Sequence, residues 1–284
     1  MKTSDLARAR AAALSVATSL GLPSDEAVVL FNSNKLALRL TPCDVLARVT
    51  HDRLEAQLEL DRARTLADAG CPVGDVQPGV PSLVHGRDGF AVTLWEYHDP
   101  STHPVSAESY AGALTRLHAG MRTVDLPSRR FTDRIAEAHH VVSLSPELAD
   151  ADRVLLEGRL TGLRQAIDEF GAAEQLIHGE PHPGNLLGTR HGPVFIDFET
   201  LCRGPIELDL AHVPETASDH YPGADQELLA LCRELVLAMI AAWRWQFDDE
   251  FPDREYWRNA LLHALREGLP WPSPSTTRQR SEAS

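Results

Sequence analysis

Apolar positions recur along the chain at helical or at alternating spacing, and each change of period marks an expected element boundary. After Ser4, a good cap, Leu6, Ala9, Ala13, Val16, Ala17 and Leu20 step by three or four, which predicts a leading amphipathic helix over 4–20 that Gly21 to Ser24 ends. Three short apolar runs follow, Ala27 to Phe31, Lys35 to Leu40 and Val45 to Val49. Asn32-Ser33-Asn34 and Thr41-Pro42-Cys43-Asp44 separate them, so an antiparallel meander is expected. Helical spacing returns from Arg53 to Ala69 and stops at Gly70 and Pro72. Residues 73–90 are rich in Gly and Pro and read as loops with a short hairpin, leading into the most strand-like run, Phe90 to Tyr97.

From Val105 the pattern is mainly helical. Tyr110, Leu114 and Leu117 share one face before Gly120, and residues 131–170 divide into two helices near Ser143 to Pro146. The second, Leu148 to Phe170, is expected to lead directly into a Pro- and Gly-rich loop, followed by an apolar strand from Val194 to Ile196. Residues 225–247 form the strongest helical pattern, and another helix is expected over 252–268. The Ser/Thr/Arg-rich segment 273–284 has the composition of a disordered tail, and there are no internal repeats.

Composition narrows the function classes. The chain has 284 residues, 43% of them apolar, enough for one large domain or two lobes. No apolar run approaches the roughly 18 residues of a spanning helix, and the N-terminus runs into charges, so neither a membrane nor a leader is expected and the location reads as cytoplasmic. Cys43, Cys71, Cys202 and Cys232 lack metal-ligand spacing and read as buried free thiols. A net charge of −14 argues against a nucleic-acid partner and allows a cationic one. Lysine occurs only at Lys2 and Lys35.

The chemistry concentrates in residues 177–199, IHGEPHPGNLLGTRHGPVFIDFE. His178, Glu180 and Asn185 fit H-x-[D/E]-x-x-x-x-N, and Asp197 follows at the end of the apolar strand. Phosphoryl transfer needs a carboxylate beside the attacking hydroxyl, an amide oxygen for one Mg²⁺ and a second carboxylate between metal and phosphates, and this spacing supplies all three. Pro181, Pro183 and Gly184 fit a turning loop that carries Glu180 and Asn185.

The stretch HGEPHPGN, followed by IDFE and ELDLA, resembles the aminoglycoside phosphotransferase family and, more distantly, the choline kinases. The resemblance implies an α+β, bilobal protein kinase-like fold: a small antiparallel-sheet lobe over 1–96, a hinge over 97–101 and a mainly helical lobe over 102–272. It implies ATP and Mg²⁺ as cofactors and a small hydroxylated acceptor, with Glu180 as the proton acceptor and Asn185 and Asp197 as metal ligands assisted by Glu199. The turn Asn32-Ser33-Asn34 stands where the family covers the nucleotide. Arg48 stands at the phosphate-anchoring position, and Glu59, with Glu55 as the alternative, at that of its partner. Trp95, Glu96 and Tyr97 stand where backbone groups meet adenine. Asp209 corresponds to a loop brace, while His178 and His182 read as structural support. Between Leu201 and Ala260, twelve acids against five arginines lie among Trp243, Trp245, Tyr256 and Trp257, in the subdomain that walls the acceptor site, which suits an aminosugar or another cationic acceptor. The family's usual loop has aspartate where this chain has Glu180. The extra methylene moves the carboxylate by about 1.5 Å, a displacement that can cost roughly 10²-fold in rate. A nucleotide-binding protein without turnover is therefore the rival expectation. A protein kinase fits less well, because neither a glycine-rich G-x-G-x-x-G nor an A-P-E follows the required order.

Overall fold

Alternation along the second and third strands sets the first layer of the fold. Leu36, Leu38 and Leu40, with Val45, Ala47 and Val49, are fully buried against Ala9, Ala12, Ala13 and Val16 of the leading helix. The computed structural model describes residues 1, 3–32, 35–99, 104–247, 249 and 252–271. In chain order the first elements are α1 (Leu6–Ser19), β1 (Ser24–Asn32), β2 (Leu36–Pro42), β3 (Val45–Thr50), α2 (Arg53–Asp68), β4 (His85–Arg87), β5 (Phe90–Glu96) and α3 (Ala107–Met121). Then come β6 (Arg129–Arg130), α4 (Phe131–Leu144), α5 (Asp150–Phe170), β7 (Gln175–Ile177), β8 (Leu186–Thr189), β9 (Gly192–Phe195) and β10 (Cys202–Gly204). The last are α6 (Ile206–Leu210), α7 (Glu215–Ser218), α8 (Gln226–Trp243) and α9 (Arg254–Glu267).

The chain separates into two compact units: Met1–Leu126 with Pro181–Thr200 and Glu215–Tyr221, and Pro127–Glu180 with Leu201–Pro214 and Pro222–Ser284. The first holds a five-stranded antiparallel sheet in the order β1-β2-β3-β5-β4. The expected meander is present. Asp88 and Gly89, both at positive φ (53° and 84°), make the two-residue turn between β4 and β5 that right-twisted strands favour. β5 is buried along almost its whole length because both faces are covered. Phe90, Val92 and Leu94 join the α1 core, while Ala91 and Trp95 pack with Leu60 and Ala63 of α2. Asp52 caps α2 by accepting the Glu55 N–H at 2.9 Å.

The helix expected from Ser4 begins at Leu6, after a 3₁₀ turn over Thr3–Asp5, so Asp5 rather than Ser4 precedes it. In the same unit β8 and β9 form a hairpin, and the buried pair His118 and Tyr221 meets through Nδ1 and the hydroxyl at 2.7 Å.

In the second unit α4, α5, α8 and α9 pack around one apolar core that includes Phe131, Leu160, Leu235 and Leu262. Asp225 caps α8 by accepting the N–H groups of Glu227 and Leu228, both at 3.0 Å. α5 does not run directly into the loop as expected. Gly171 ends it in left-handed conformation (φ 66°), and the three-residue strand β7 follows, paired with β10 of the sheet β6-β10-β7. Three residues are too few for alternation to register, and only the tertiary pairing defines this strand.

Candidate active site

In the first unit the same alternation decides what faces a cavity of about 350 Å³. With Leu36, Leu38 and Leu40 turned into the α1 core, Lys35 and Ala37 turn the other way, and Leu46 and Arg48 do so on β3. Ala37 lies directly opposite Arg48, so Lys35, one period along, is the diagonal neighbour of that arginine. α2 presents Glu55 and Glu59 one turn apart on one side. Lys35 Nζ stands 2.9 Å from Glu59 Oε2 and 3.2 Å from Glu55 Oε1, and is also paired with Glu199. Arg48 is paired with Glu59 Oε1, so the expected ion pair forms with Glu59 and not with Glu55. Burial pulls the Arg48 guanidinium below its ordinary value, against the opposing charges of Asp197, Glu199 and Glu55. The Glu199 carboxyl is pushed up by burial and by its hydrogen bond with Glu55, while Lys35 pulls it down.

The loop that enters this cavity is braced by its own side chains. His182 Nδ1 accepts the Gly184 N–H at 3.0 Å, which shapes the single 3₁₀ turn Pro183–Asn185. The Asn185 carbonyl accepts the Ile196 N–H at 3.0 Å and so fixes the loop beside the residue preceding Asp197. Arg62 of α2 donates to the Phe198 carbonyl at 2.8 Å on the other side. Asp197 is held at φ 67°, a left-handed conformation that costs a non-glycine residue about 1 kcal/mol or more. Its Oδ1 is buried without a hydrogen-bond partner. An orphaned carboxylate oxygen on strained backbone, in a cavity that Asn185 also lines, fits a divalent cation. Among the described residues no three His, Cys, Asp or Glu side chains form an all-protein metal cage.

Glu180 belongs to the second unit. The fully buried Asp209 carboxylate on α6 accepts the N–H groups of His178 at 2.9 Å and Gly179 at 2.7 Å, the bracing expected of it. Arg134 of α4, also buried, donates to the Gly179 carbonyl at 2.7 Å and is paired with Glu180 Oε1, and its guanidinium lies 5.1 Å from the Trp243 ring centre. Arg244 is pushed down by burial and held up by Asp249 and Glu180.

The cavity thus brings together Arg48, Glu59, Trp95, Glu96, Asn185, Asp197 and Glu199. Asn32 is directed elsewhere, its amide donating to the Met1 carbonyl at 3.1 Å. Ser33 and Asn34 lie outside the described residues, as do Pro100 and Ser101 of the hinge. The Glu96 N–H donates to the Asp75 carbonyl at 2.9 Å, and the Tyr97 ring sits 4.3 Å from the Arg39 guanidinium. Several acids of residues 201–260 have internal work: Asp209 braces, Asp225 caps, Glu207 accepts the Asp225 N–H, and Glu234 pairs with Arg159. Sequence reasoning missed Lys35 and Arg134. The near absence of lysine was a usable signal for the first; the second carried none, since only tertiary folding brings α4 to Glu180.

The sequence matches the phosphotransferase enzyme family over residues 28–233. No curated protein sequence matches it. Among solved structures it is similar to an amicoumacin kinase complexed with AMP-PNP, Ca²⁺ and Ami (11% identity, 95% of this chain and 97% of that one, TM-score 0.68). It is also similar to a choline/ethanolamine kinase family protein from Mesorhizobium loti (17%, 94% and 94%, 0.66). A third is a spectinomycin phosphotransferase with ADP and spectinomycin (13%, 89% and 97%, 0.60). At these identities the likeness establishes the kinase-like α+β fold.

Proposed function

The chain belongs to the phosphotransferase enzyme family, and from that premise we propose that it moves the γ-phosphoryl of ATP, with Mg²⁺, to a hydroxyl of a small molecule such as an aminosugar or amino-alcohol. The observation that carries the reading is the buried, unpartnered Oδ1 of Asp197 on left-handed backbone beside Asn185. Asp197 and Asn185, with Glu199, would hold the metal. Bound there, Mg²⁺ would supply charge neutralisation across the transferring phosphates. Arg48 meets phosphate charge while Glu59 fixes its direction, and Trp95 and Glu96 stand at the adenine end. Glu180 accepts the hydroxyl proton, and Arg134, paired with that carboxylate, orients it. Nucleotides in the similar structures support the donor assignment. The lobe division at 97–101 and a cytoplasmic location are parts of the same reading. Among the described residues no helix is long and apolar enough to cross a membrane.

The decisive variant is Asp197→Ala. It should abolish Mg²⁺-dependent ATP binding while circular dichroism and thermal midpoint stay close to wild type, and unchanged Mg²⁺-ATP affinity would remove Asp197 from the site. The Arg134 to Glu180 ion pair favours a second reading, a nucleotide-binding protein whose base is too firmly held for turnover. Transfer from labelled ATP to any member of a broad hydroxylated acceptor screen would exclude it.

A further inference from the structure

Lys35 has no role in the assignments above, yet it is the most highly paired cation of the cavity. Its side chain is 8% exposed and faces three carboxylates, on Glu55, Glu59 and Glu199. Burial of an ammonium is costly unless it is paired and its three N–H donors find acceptors, and these three carboxylates supply them. Two of the three, Glu55 and Glu59, come from α2, and the third, Glu199, comes from the segment that carries Asp197. With Glu199 ionised, four carboxylates (Glu55, Glu59, Asp197, Glu199) surround two cations, Lys35 and Arg48. This cluster therefore carries an excess of negative charge that suits a divalent cation, while the nucleotide's phosphates need the two cations.

The two cations differ in what they can do next. Arg48 presents a planar fork that is committed to Glu59. Lys35 is a point charge on a flexible four-carbon stem, which can exchange one oxygen partner for another without geometric penalty. We propose that Lys35 is a second phosphate-binding cation of the nucleotide site: it neutralises Glu199 in the free protein and passes to a phosphate oxygen when magnesium nucleotide binds, leaving Glu199 to the metal. The anchor expected on β3 is thereby supplemented from the neighbouring strand β2. The inference rests on the proposed nucleotide site.

An acyl-phosphate derivative of adenosine diphosphate tests it on the wild-type protein. The nucleophilic Nζ attacks the acyl carbon, an amide forms, the acyl–phosphate bond breaks and the nucleotide leaves with the electron pair. Arginine does not react, and the chain has only two lysines, Lys2 and Lys35. Mass spectrometry of the digested protein should find the acyl group on Lys35, with excess Mg²⁺-ATP suppressing it there and leaving Lys2 labelling unchanged. Lys35→Met should lower ATP affinity about tenfold or more while adenosine affinity changes little, and Lys35→Arg, which keeps the charge but not the flexible point geometry, should recover only part of the loss. The same Lys35→Met variant should bind Mn²⁺ alone more tightly, read by the electron paramagnetic resonance of free Mn²⁺, because a competing cation has gone. An unlabelled Lys35 in a protein that binds ATP, or equal losses for ATP and adenosine, overturns the inference and leaves the proposed function standing. A protein that binds no nucleotide at all overturns both.

Discussion

Glu180 shows how far one side chain can bias the reading of a site. Aspartate in its place would end one methylene shorter, but here Arg134, anchored on the Gly179 carbonyl, reaches the longer carboxylate directly. Asp209 braces the loop backbone independently of the Glu180 side chain. Glu180→Gln keeps size and removes the proposed base. It should lower kcat by about 10²-fold or more with ATP affinity retained, as measured by steady-state kinetics beside equilibrium nucleotide binding. Undiminished transfer in that variant would mean another group takes the proton.

At the scale of elements, the packing of α3 against the turn after α2 has little spare room. A Cβ on Gly120 would lie 2.3 Å from Cys71 Sγ and 3.2 Å from the Ala69 carbonyl oxygen. Helix propensity alone favours Gly120→Ala by roughly 0.5–1 kcal/mol, whereas overpacking of this kind costs about 1–3 kcal/mol, so the clash should win. Urea denaturation should show Gly120→Ala destabilised in the wild-type background and close to neutral in a Cys71→Ala background, where the sulfur is gone. Equal costs in both backgrounds would show that the limiting contact is the Ala69 carbonyl and not the thiol.

For the molecule as a whole, the four cysteines are free thiols, three of them buried. Burial pushes Cys71 up to about 11 and Cys202 up to about 12, and Cys232 is raised as well, from an ordinary value of 9.0. Below the ordinary value both folded and unfolded chains keep these protons and the thiols leave stability unchanged. As pH rises past it, the unfolded chain releases protons that the folded chain retains, so stability falls by at most ~1.4 kcal/mol per pH unit for each thiol. Urea midpoints taken from mildly alkaline pH upward should therefore decline, and less steeply in Cys202→Ala. An identical slope in the variant would show that other groups govern alkaline unfolding.

The sequence alone determined the elements whose signals are local. Short apolar runs with Asn and Pro breaks are enough to define β1, β2 and β3, and helical periodicity is enough to define α2, α3, α5 and α8, to within a few residues of their ends. The loop from His178 to Asn185 and the nearby Asp197 could be singled out because they lie within one short stretch of the chain. The resemblance also paired Arg48 with Glu59, eleven residues apart, and the structure has that pair. What tertiary structure decided are the features whose partners are remote in the chain. β7 exists because β10 lies beside it, and Lys35 became part of the cavity because β2 pairs with β3 under α2. Arg134 reaches Glu180 across 46 residues, a separation over which no periodicity carries information. The left-handed backbone and the unpartnered oxygen of Asp197 are likewise invisible in its one-letter code, since both depend on what the folded chain leaves around it.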